Sequence, residues 1–440
     1  MTAASTARNM SPRLLGVMER AKNPSYRFNS LAHLIDEGAL ERAFRRLDGR
    51  SAEGGDGVTK AHYGEALGER LAELHTKLRE GRWRHQPILR VNIPKGRGKT
   101  RPIGISCVED KLVQGSLAEL LGAVYEPMFR PCSFGFRPGR GAHDALRALN
   151  DVLFREPVAY ILEIDIESFF DSIDRTKLQE MLWERVADKS LRRLVGKCLH
   201  VGVLEGVSVS YSASGTTQGS SLSPLLGNVY LHHVLDTWYE DEVAPRLRGR
   251  TRLFRYADDA VITFESEADA RRVLEVLPKR FARFGLRLHP EKTRLVPFRR
   301  PPRSQRSGRG PGTFDFLGFT VFWHRSRKGS WVPRLKTRKE SSRRFLESVA
   351  DFCRRQRHLP VREQHAALER RLNGFFNYFA VNGNVPTLRG LRRQCERIWH
   401  TWLGRRSEKA RKSWRDFGAM LRQFPMPKAR VRVQLWGAPP

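Results

Sequence analysis

The sequence predicts an α+β fold in which strands that carry acidic residues precede a helical C-terminal region. Residues 160–170 alternate apolar and polar side chains, which is the period of a strand, and one face collects Glu163, Asp165 and Glu167. Two apolar, β-prone runs flank the adjacent carboxylates of Asp258 and Asp259, which predicts a hairpin with a sharp turn. Past about residue 335, apolar residues recur every three or four positions among arginines and lysines, and this period indicates helices.

Shorter patterns predict the remaining elements. Spaced apolar residues predict a helix near residue 31, with further helices at 38–48 and 61–80. We expect strands near 87–93 and 101–105, joined by a basic, glycine-rich tip that suits phosphate groups. A stretch rich in Pro, Arg, Ser and Gly over about 298–313 predicts a loop.

The acidic residues point to a metal site. A buried strand does not tolerate several carboxylates on one face unless cations neutralise them. Mg²⁺ prefers oxygen ligands, and Asp165 together with Asp258 and Asp259 would hold two such ions. An Asp-Asp pair in a loop is on its own more often a turn or a helix cap, so this interpretation depends on the surrounding sequence.

The charge of the chain indicates a polyanionic partner. The 440 residues include 80 Lys and Arg but only 47 Asp and Glu, which gives a formal net charge of +33. Residues 301–440 carry 32 of the basic and 9 of the acidic residues, so +23 of the surplus lies there. Aromatic residues interleave with these charges, which favours a nucleic-acid surface over a solvated basic tail.

Cysteine spacing and hydropathy argue against two other classes. The five cysteines are far apart and form no Cys-x-x-Cys pair, so neither a zinc ribbon nor a disulfide framework is indicated. No stretch approaches the eighteen or so apolar residues that span a bilayer. We therefore expect a cytoplasmic protein with no membrane partner.

The wider sequence around the Asp-Asp pair resembles a known family. Tyr256-Ala257-Asp258-Asp259, about ninety residues after the acidic strand, resembles the palm of reverse transcriptases. Eight blocks in order resemble bacterial group II intron-encoded proteins, the reverse transcriptase and maturase family: 55–59, 93–105, 134–141, 160–170, 219–228, 254–262, 285–293 and 316–319. Residues 370–405 resemble the maturase or thumb segment more weakly.

The resemblance implies a right-hand polymerase, with fingers and a palm that holds an antiparallel catalytic sheet, followed by an α-helical thumb. The domains expected from it are an N-terminal extension (1–60), fingers and palm (61–325), a helical thumb or maturase domain (326–405) and a short basic DNA-binding extension (406–440). Residues after 405 hold no cluster of His, Asn and paired Cys, so we expect the type that lacks an endonuclease domain.

The resemblance also assigns the catalytic centre. Asp165 and Asp258 would bridge two Mg²⁺ ions, with Asp259 supporting the site and the Ile166 carbonyl as a further ligand. The incoming deoxynucleoside triphosphate would be bound by Lys95, Arg101, Phe170 and Gln218, where Phe170 would be the steric gate against a ribose 2′ hydroxyl. The family commonly has proline where this chain has Thr217, and loss of a residue that fixes φ is expected to loosen the turn that presents Gln218.

Two further sets of residues follow from the same resemblance. Phe316, Leu317 and Gly318 resemble the primer grip. The residues expected to contact RNA are Arg137, Arg140, Asn373, Phe376 and Tyr378.

The expected function is that of an RNA-directed DNA polymerase encoded by a group II intron. It would bind its intron RNA, assist splicing and copy the RNA during retrohoming, using template RNA, a DNA primer, target DNA and deoxynucleoside triphosphates, in association with the bacterial nucleoid. Two alternatives stay open, a maturase that only binds RNA and a domesticated or CRISPR-associated reverse transcriptase. The intact acidic residues favour the polymerase, and a homodimer also stays open.

Overall fold

The computed structural model describes residues 10–96, 99–205, 208–210, 215, 219–302, 304–305, 310–406 and 413–436. The chain forms two compact units. The first unit comprises Met1–Gly141, Ile164–Ala260 and Arg271–Arg294, and the second comprises Ala142–Glu163, Val261–Ala270 and Leu295–Pro440.

The N-terminal helices of the first unit pack around one apolar helix. In chain order they are α1 (Pro12–Ala21), α2 (Glu37–Arg46), α3 (Lys60–Gly64), α4 (Leu67–Arg79) and α5 (Val108–Tyr125). Helix α5 is buried along most of its length, and α1 and α2 pack against it. Asp36 begins α2 by accepting a 2.9 Å hydrogen bond from the Ala39 N–H. The helices predicted at 38–48 and 61–80 are confirmed, although the second is divided at residues 65–66.

A four-stranded sheet follows in the same unit. Its strands are β1 (Ile88–Gly96), β2 (Lys99–Ile105), β4 (Val203–Glu205) and β5 (Ser208–Ser210), in the order β2-β1-β4-β5. Strands β1 and β2 are antiparallel, as predicted, with Leu89 opposite Ile105. The pair β1 and β4 is parallel, with Ile88 opposite Val203.

Helices connect the remaining strands. They are α6 (Ala142–Arg155), α7 (Phe169–Ser172), α8 (Arg175–Arg185), α9 (Lys189–Leu199), α10 (Ser223–Leu231) and α11 (Glu267–Ala282). Helix α10 continues into two π-helical segments, His232–Asp236 and Trp238–Val243. The π-helix is rare and frequently occurs at functional sites.

The acidic strand and the Asp-Asp hairpin belong to a second four-stranded sheet. Its strands are β3 (Tyr160–Ile164), β6 (Thr251–Tyr256), β7 (Asp259–Phe264) and β8 (Arg294–Pro297), in the order β6-β7-β3-β8. The N–H of Ala159 donates to the Phe264 carbonyl (2.8 Å), which sets the start of β3 beside the end of β7. The end of β3 therefore lies beside the start of β7.

The second unit ends in a small sheet followed by helices. Strands β9 (Thr313–Phe316), β10 (Phe319–Arg325) and β11 (Trp331–Thr337) form an antiparallel sheet. The helices are α12 (Lys339–Arg355), α13 (Val361–Phe379), α14 (Val385–Leu403) and α15 (Trp414–Gln423). The predicted loop lies between β8 and β9. Strand β11 falls in the range expected to be helical from residue 326, so the helical part begins only at Lys339.

These elements confirm a mixed α and β fold with antiparallel pairing and a helical C-terminal region. Within the part of the chain that the structure describes, no helix is both long and apolar enough to cross a membrane.

Candidate active site

The centre of the candidate site is a two-residue turn, Ala257-Asp258, between β6 and β7. Ala257 has a φ of +56°, in the left-handed region that residues with a side chain seldom adopt. Such a conformation costs on the order of 1–3 kcal/mol and persists only where neighbouring contacts enforce it. Asp258 and Asp259 are both partly exposed. The turn and the first residue of β7 therefore carry two adjacent acidic residues that are partly exposed.

A second segment of the first unit packs directly against this turn. A Cβ atom at Gly135 would lie 2.4 Å from the Ala257 nitrogen, so only glycine fits there. The Asn228 side-chain amide donates a 2.7 Å hydrogen bond to the Gly135 carbonyl. The blocks at 134–141, 219–228 and 254–262, which are far apart in sequence, thus meet at the turn.

Asp165 follows directly on β3. Its carbonyl accepts a 2.8 Å hydrogen bond from His289 N–H, and Glu167 N–H donates to the Arg287 carbonyl at 2.9 Å. Because backbone groups alternate along a strand, the Ile166 carbonyl faces the opposite side, where β7 lies in the sheet order. The Asp165 Oδ1 atom lies 2.9 Å from the Lys292 ammonium, and both side chains are well exposed.

The chemistry of these donors fits a hard divalent cation. Asp165, Asp258 and Asp259 offer only oxygen, the atom that Mg²⁺ prefers, and none of the three is deeply buried. The ammonium of Lys292 already provides one positive charge beside Asp165. Over the described ranges, no three His, Cys, Asp or Glu side chains are arranged to hold a metal ion.

Glu163 does not join this group. It is buried, and its carboxylate accepts a 2.6 Å hydrogen bond from Asp315 N–H in the second unit. The predicted shared face of Glu163 and Asp165 is not formed, because β3 ends at Ile164. Glu163 is buried within the strand, whereas Asp165 follows the strand and is partly exposed.

The nucleotide side of the site is described in part. Phe170 is half-buried, and its ring lies 5.1 Å from that of Phe169 between centroids. A Cβ atom at Gly227 would lie 3.0 Å from the Phe169 ring and 3.2 Å from the Phe170 ring, so glycine leaves room for both aromatic side chains. The side chains of Lys95 and Arg101, and the whole of Thr217 and Gln218, lie outside the described residues. Gly219 is described, and its backbone packs against the Gly104 carbonyl of β2.

Comparison with known proteins decides the family. The family model for reverse transcriptase (RNA-dependent DNA polymerase) matches residues 93–321, which is more than half of the chain. The chain belongs to the reverse transcriptase family. The predicted recognition and the predicted enzyme class, an RNA-directed DNA polymerase, are thereby confirmed. Reverse transcriptases act on nucleic acids and generally use divalent metal ions, which agrees with the oxygen donors described above.

Relatives of this reverse transcriptase indicate the group II intron type. Protein YkfC of Escherichia coli K12 is 28% identical over 369 residues, which cover 75% of this chain and 92% of that protein. The group II intron-encoded protein LtrA of Lactococcus lactis is 32% identical over 225 residues, 48% of this chain and 37% of LtrA. An uncharacterized 91 kDa protein in the cob intron of Schizosaccharomyces pombe is 36% identical over 192 residues, 42% of this chain and 23% of that protein. The matched part thus spans about a third or less of the two intron proteins.

The residues that resemble the primer grip form the turn between β9 and β10. Leu317 and Gly318 both have positive φ, +51° and +77°, as a two-residue type I′ hairpin requires. Tyr378 O–H donates to the Leu317 carbonyl at 2.9 Å, and Arg338 N–H donates to the Gly318 carbonyl at 2.9 Å. Phe316 is 1% exposed, so its ring belongs to the core of the second unit.

Arg137 and Arg140, which are predicted to contact RNA, both bond to the loop beside the Ala257-Asp258 turn, and their contact with RNA stays a prediction. Arg137 is 9% exposed and pairs with Glu126 at 2.8 Å while donating to the Arg130 and Ser133 carbonyls. Arg140 is also half-buried, and its guanidinium donates to two carbonyls of the same loop and lies over the Phe134 ring. Both arginines therefore stabilise the loop beside the catalytic turn.

The residues of the helical region that are predicted to contact RNA also have partners within the second unit. Phe376 is fully buried in the core formed by α12–α15. Asn373 accepts a hydrogen bond from Arg432, and Tyr378 is half-buried with its hydroxyl on Leu317. The Phe376 ring thus belongs to the core, whereas Asn373 and Tyr378 are partly exposed and their contact with RNA stays a prediction.

Sequence reasoning missed the buried ion pair of Arg255 and Asp236. Both side chains are 0% exposed, and Arg255 Nη2 lies 2.6 Å from Asp236 Oδ2. Burial alone would lower the pKa of Arg255, but the carboxylate of Asp236 outweighs it and raises this pKa. The signal was available, since an arginine inside the apolar run 253–264 requires a buried partner.

Proposed function

We propose that this reverse transcriptase joins a deoxynucleoside triphosphate to a primer 3′ hydroxyl by two-metal nucleotidyl transfer. The observation that carries the proposal is the neighbouring position of Asp165, after β3, and the Asp258-Asp259 turn at the same end of one sheet. Asp165 and Asp258 would hold two Mg²⁺ ions, with Asp259 and the Ile166 carbonyl completing the oxygen ligands. When bound, the ions would stabilise charge on the attacking and leaving oxygens.

Residues near this turn would select the nucleotide. Phe170 stands five residues after Asp165 with its ring partly exposed, where an aromatic face would exclude a ribose 2′ hydroxyl. Lys95 and Arg101 would neutralise the β and γ phosphates, since β1 and β2 form the hairpin that bears them. Gln218 would line the pocket, because the backbone of its neighbour Gly219 packs against β2.

We further propose that residues 61–325 act as fingers and palm, with the strands and helices of 326–405 as the thumb or maturase domain. The turn of Phe316, Leu317 and Gly318 would contact the primer through its backbone. Residues 1–60 would be an N-terminal extension, and 406–440 a DNA-binding extension, which its basic character supports.

The RNA partner is proposed to be a group II intron, which this enzyme would help to splice and then copy during retrohoming at a target DNA. The names of its relatives support this, because LtrA is described as a group II intron-encoded protein. The surface proposed for RNA consists of exposed arginines on α13 and α14: Arg362, Arg370, Arg371, Arg389, Arg393 and Arg397. Such side chains neutralise phosphates and release counterions.

Primer extension on an RNA template with Mg²⁺ and deoxynucleotides tests the proposed chemistry. The variant Asp258→Asn, Asp259→Asn keeps the size of both side chains and removes two carboxylates. We expect it to lose synthesis while keeping its melting temperature and its RNA affinity within a few-fold. Asp151→Asn removes an exposed carboxylate from α6 and serves as the control, with activity unchanged. Equal synthesis by the double variant and the parent would contradict the proposed ligands.

A further inference from the structure

The Arg255 guanidinium is completely enclosed, and every one of its N–H groups has an acceptor. Its Nε and one Nη2 hydrogen bind the two carboxylate oxygens of Asp236 at 2.7 and 2.6 Å. The other Nη2 hydrogen reaches Ser133 Oγ at 2.7 Å. The two hydrogens of Nη1 reach the side-chain oxygen of Asn228 at 2.9 Å and the main-chain carbonyl of Ala257 at 3.1 Å. A planar fork with five fixed donors can take only one orientation here.

The last of these bonds connects the guanidinium to the catalytic turn. Ala257 is the residue with φ of +56° and directly precedes Asp258. A hydrogen bond to its carbonyl fixes the peptide plane that joins Ala257 to Asp258, and so constrains where the Asp258 side chain begins. The left-handed conformation of Ala257 requires an external constraint of this kind.

The other partners anchor the guanidinium to rigid elements. Asp236 closes the first π-helical segment, and Asn228 lies on α10. Asn228 also donates to the Gly135 carbonyl at 2.7 Å, and Gly135 packs against the nitrogen of Ala257. Asn228 therefore constrains Ala257 on both sides. It acts on the Ala257 nitrogen through Gly135 and on the Ala257 carbonyl through Arg255.

We propose that Arg255 is a positioning residue for DNA synthesis, which holds the Ala257-Asp258 turn in the conformation that directs the carboxylate of Asp258 toward the metal ions. The proposal rests on the polymerase function proposed above. Lysine cannot replace arginine in this role, because an ammonium lacks the planar fork that reaches Asp236, Asn228 and Ala257 at once.

The test is Arg255→Lys, measured by steady-state primer extension as a function of nucleotide, primer–template and Mg²⁺ concentration. We expect kcat to fall by about 10- to 100-fold, the size of effect that a misplacement of about 1 Å produces. The Mg²⁺ concentration for half-maximal rate should rise by about three- to tenfold, since a displaced carboxylate binds the ion less well. Primer–template affinity should stay within about threefold, because the basic surface is unchanged.

Arg185→Lys is the matched control. Arg185 is another buried arginine of the first unit, at 3% exposure, and its guanidinium binds the carbonyls of Pro24 and Ala21 instead of the turn. Both variants should lower the melting temperature, but only Arg255→Lys should change kcat and the Mg²⁺ dependence. If both lose kcat equally, or if Arg255→Lys keeps the parental kcat and Mg²⁺ dependence, the positioning role is wrong.

Two milder variants cover the case in which Arg255→Lys does not fold. Asn228→Ala removes a partner of both Arg255 and Gly135, whereas Ser133→Ala removes a single bond to the guanidinium. We expect the larger loss of kcat in Asn228→Ala, and parental kcat in both would overturn the proposal. The parent must synthesise DNA throughout, since absence of synthesis by the parent would instead reject the proposed function.

Discussion

The ammonium of Lys292 lies 2.9 Å from Oδ1 of Asp165, so the first acidic residue of the candidate site is paired with a cation of its own chain. Since 53% of the Lys292 side chain is exposed, this pair is accessible to ions from solvent. A bound divalent ion would compete with the ammonium for the same oxygen.

Lys292→Met should therefore lower the Mg²⁺ concentration needed for half-maximal DNA synthesis, by about two- to fivefold, because an exposed pair is worth roughly 0.2–1 kcal/mol. Lys292→Arg keeps the charge and should behave like the parent. The measurement is a Mg²⁺ titration of the initial rate. An unchanged or higher Mg²⁺ requirement in Lys292→Met would show that the ammonium does not compete with the metal.

Phe170→Ala should allow ribonucleotides to be incorporated. The ring is partly exposed beside Gly227 and stands five residues after Asp165, so its removal opens space at the proposed gate position. The measurement is the ratio of kcat/KM for a deoxynucleotide and the matching ribonucleotide, and we expect the preference to fall by about 10-fold or more, or about 1.4 kcal/mol. Phe169→Leu changes the neighbouring buried ring and should leave the ratio unchanged. A parental ratio in Phe170→Ala would remove its role as a steric gate.

The triple variant Arg389→Gln, Arg393→Gln, Arg397→Gln should weaken RNA binding. These arginines are four residues apart on α14 and share one exposed face. Each lost phosphate contact lowers the slope of log affinity against log salt by about 1. The slope, measured by filter binding, should therefore fall by up to about 3.

Two controls distinguish a specific effect of these arginines on RNA binding from a general effect of net charge and from an effect of core packing. Arg13→Gln, Arg20→Gln, Arg45→Gln removes the same charge from exposed positions of the first unit and should leave the slope almost unchanged. Phe376→Leu repacks a buried ring and should keep RNA affinity, while Phe376→Ala should cost about 3–5 kcal/mol of unfolding free energy. A selective loss of RNA affinity in a stable Phe376→Leu variant would contradict its assignment to the core.

Stability should depend on pH through Asp110 in α5. Burial raises the pKa of this carboxyl from 3.8 to about 8. Burial also lowers the pKa of the neighbouring His85, whose Nδ1 lies 3.4 Å from Oδ2 of Asp110, so both groups favour their neutral forms. The folded chain then binds more protons than the unfolded chain between about pH 4 and pH 8, and this contribution to stability falls as pH rises.

Asp110→Asn should remove this contribution. The variant should melt higher than the parent at pH 8, and the difference should shrink or reverse toward pH 4. Thermal melts across this range, followed by circular dichroism, give the comparison. A parental pH dependence in Asp110→Asn would assign the titration to another group.

Local patterns in the sequence were sufficient to predict many elements. The alternation of residues 160–170 predicted β3, and the apolar runs around Asp258-Asp259 predicted the hairpin of β6 and β7. These predictions succeeded because neighbouring residues along a strand alternate between faces regardless of the rest of the fold. The parallel pairing of β1 with β4 was not predicted, because pairing between strands more than a hundred residues apart leaves no periodic signal in the sequence.

The surroundings of individual side chains were harder to predict. Arginines and aromatic residues in one segment suit both a nucleic-acid surface and a folded interior, and Arg137 and Phe376 belong to the interior. Spacing carries the distinguishing signal: Leu368, Leu372 and Phe376 are four residues apart and form one buried face of α13. Resemblance identifies a motif, whereas burial and hydrogen bonding determine what each of its side chains contacts.

The order of strands in the catalytic sheet has a consequence for synthesis of the chain. Strand β3 leaves the ribosome about a hundred residues before its neighbour β7 is complete, which takes about 5 to 20 seconds at roughly 5–20 residues per second. During this interval an apolar strand has neither of its partners, the condition in which nascent chains aggregate. Negative charges at Glu163, Asp165 and Glu167 would repel a second copy of the same strand on a neighbouring ribosome. These three carboxylates, of which only Asp165 belongs to the candidate site, would thus protect the chain while it is still being made.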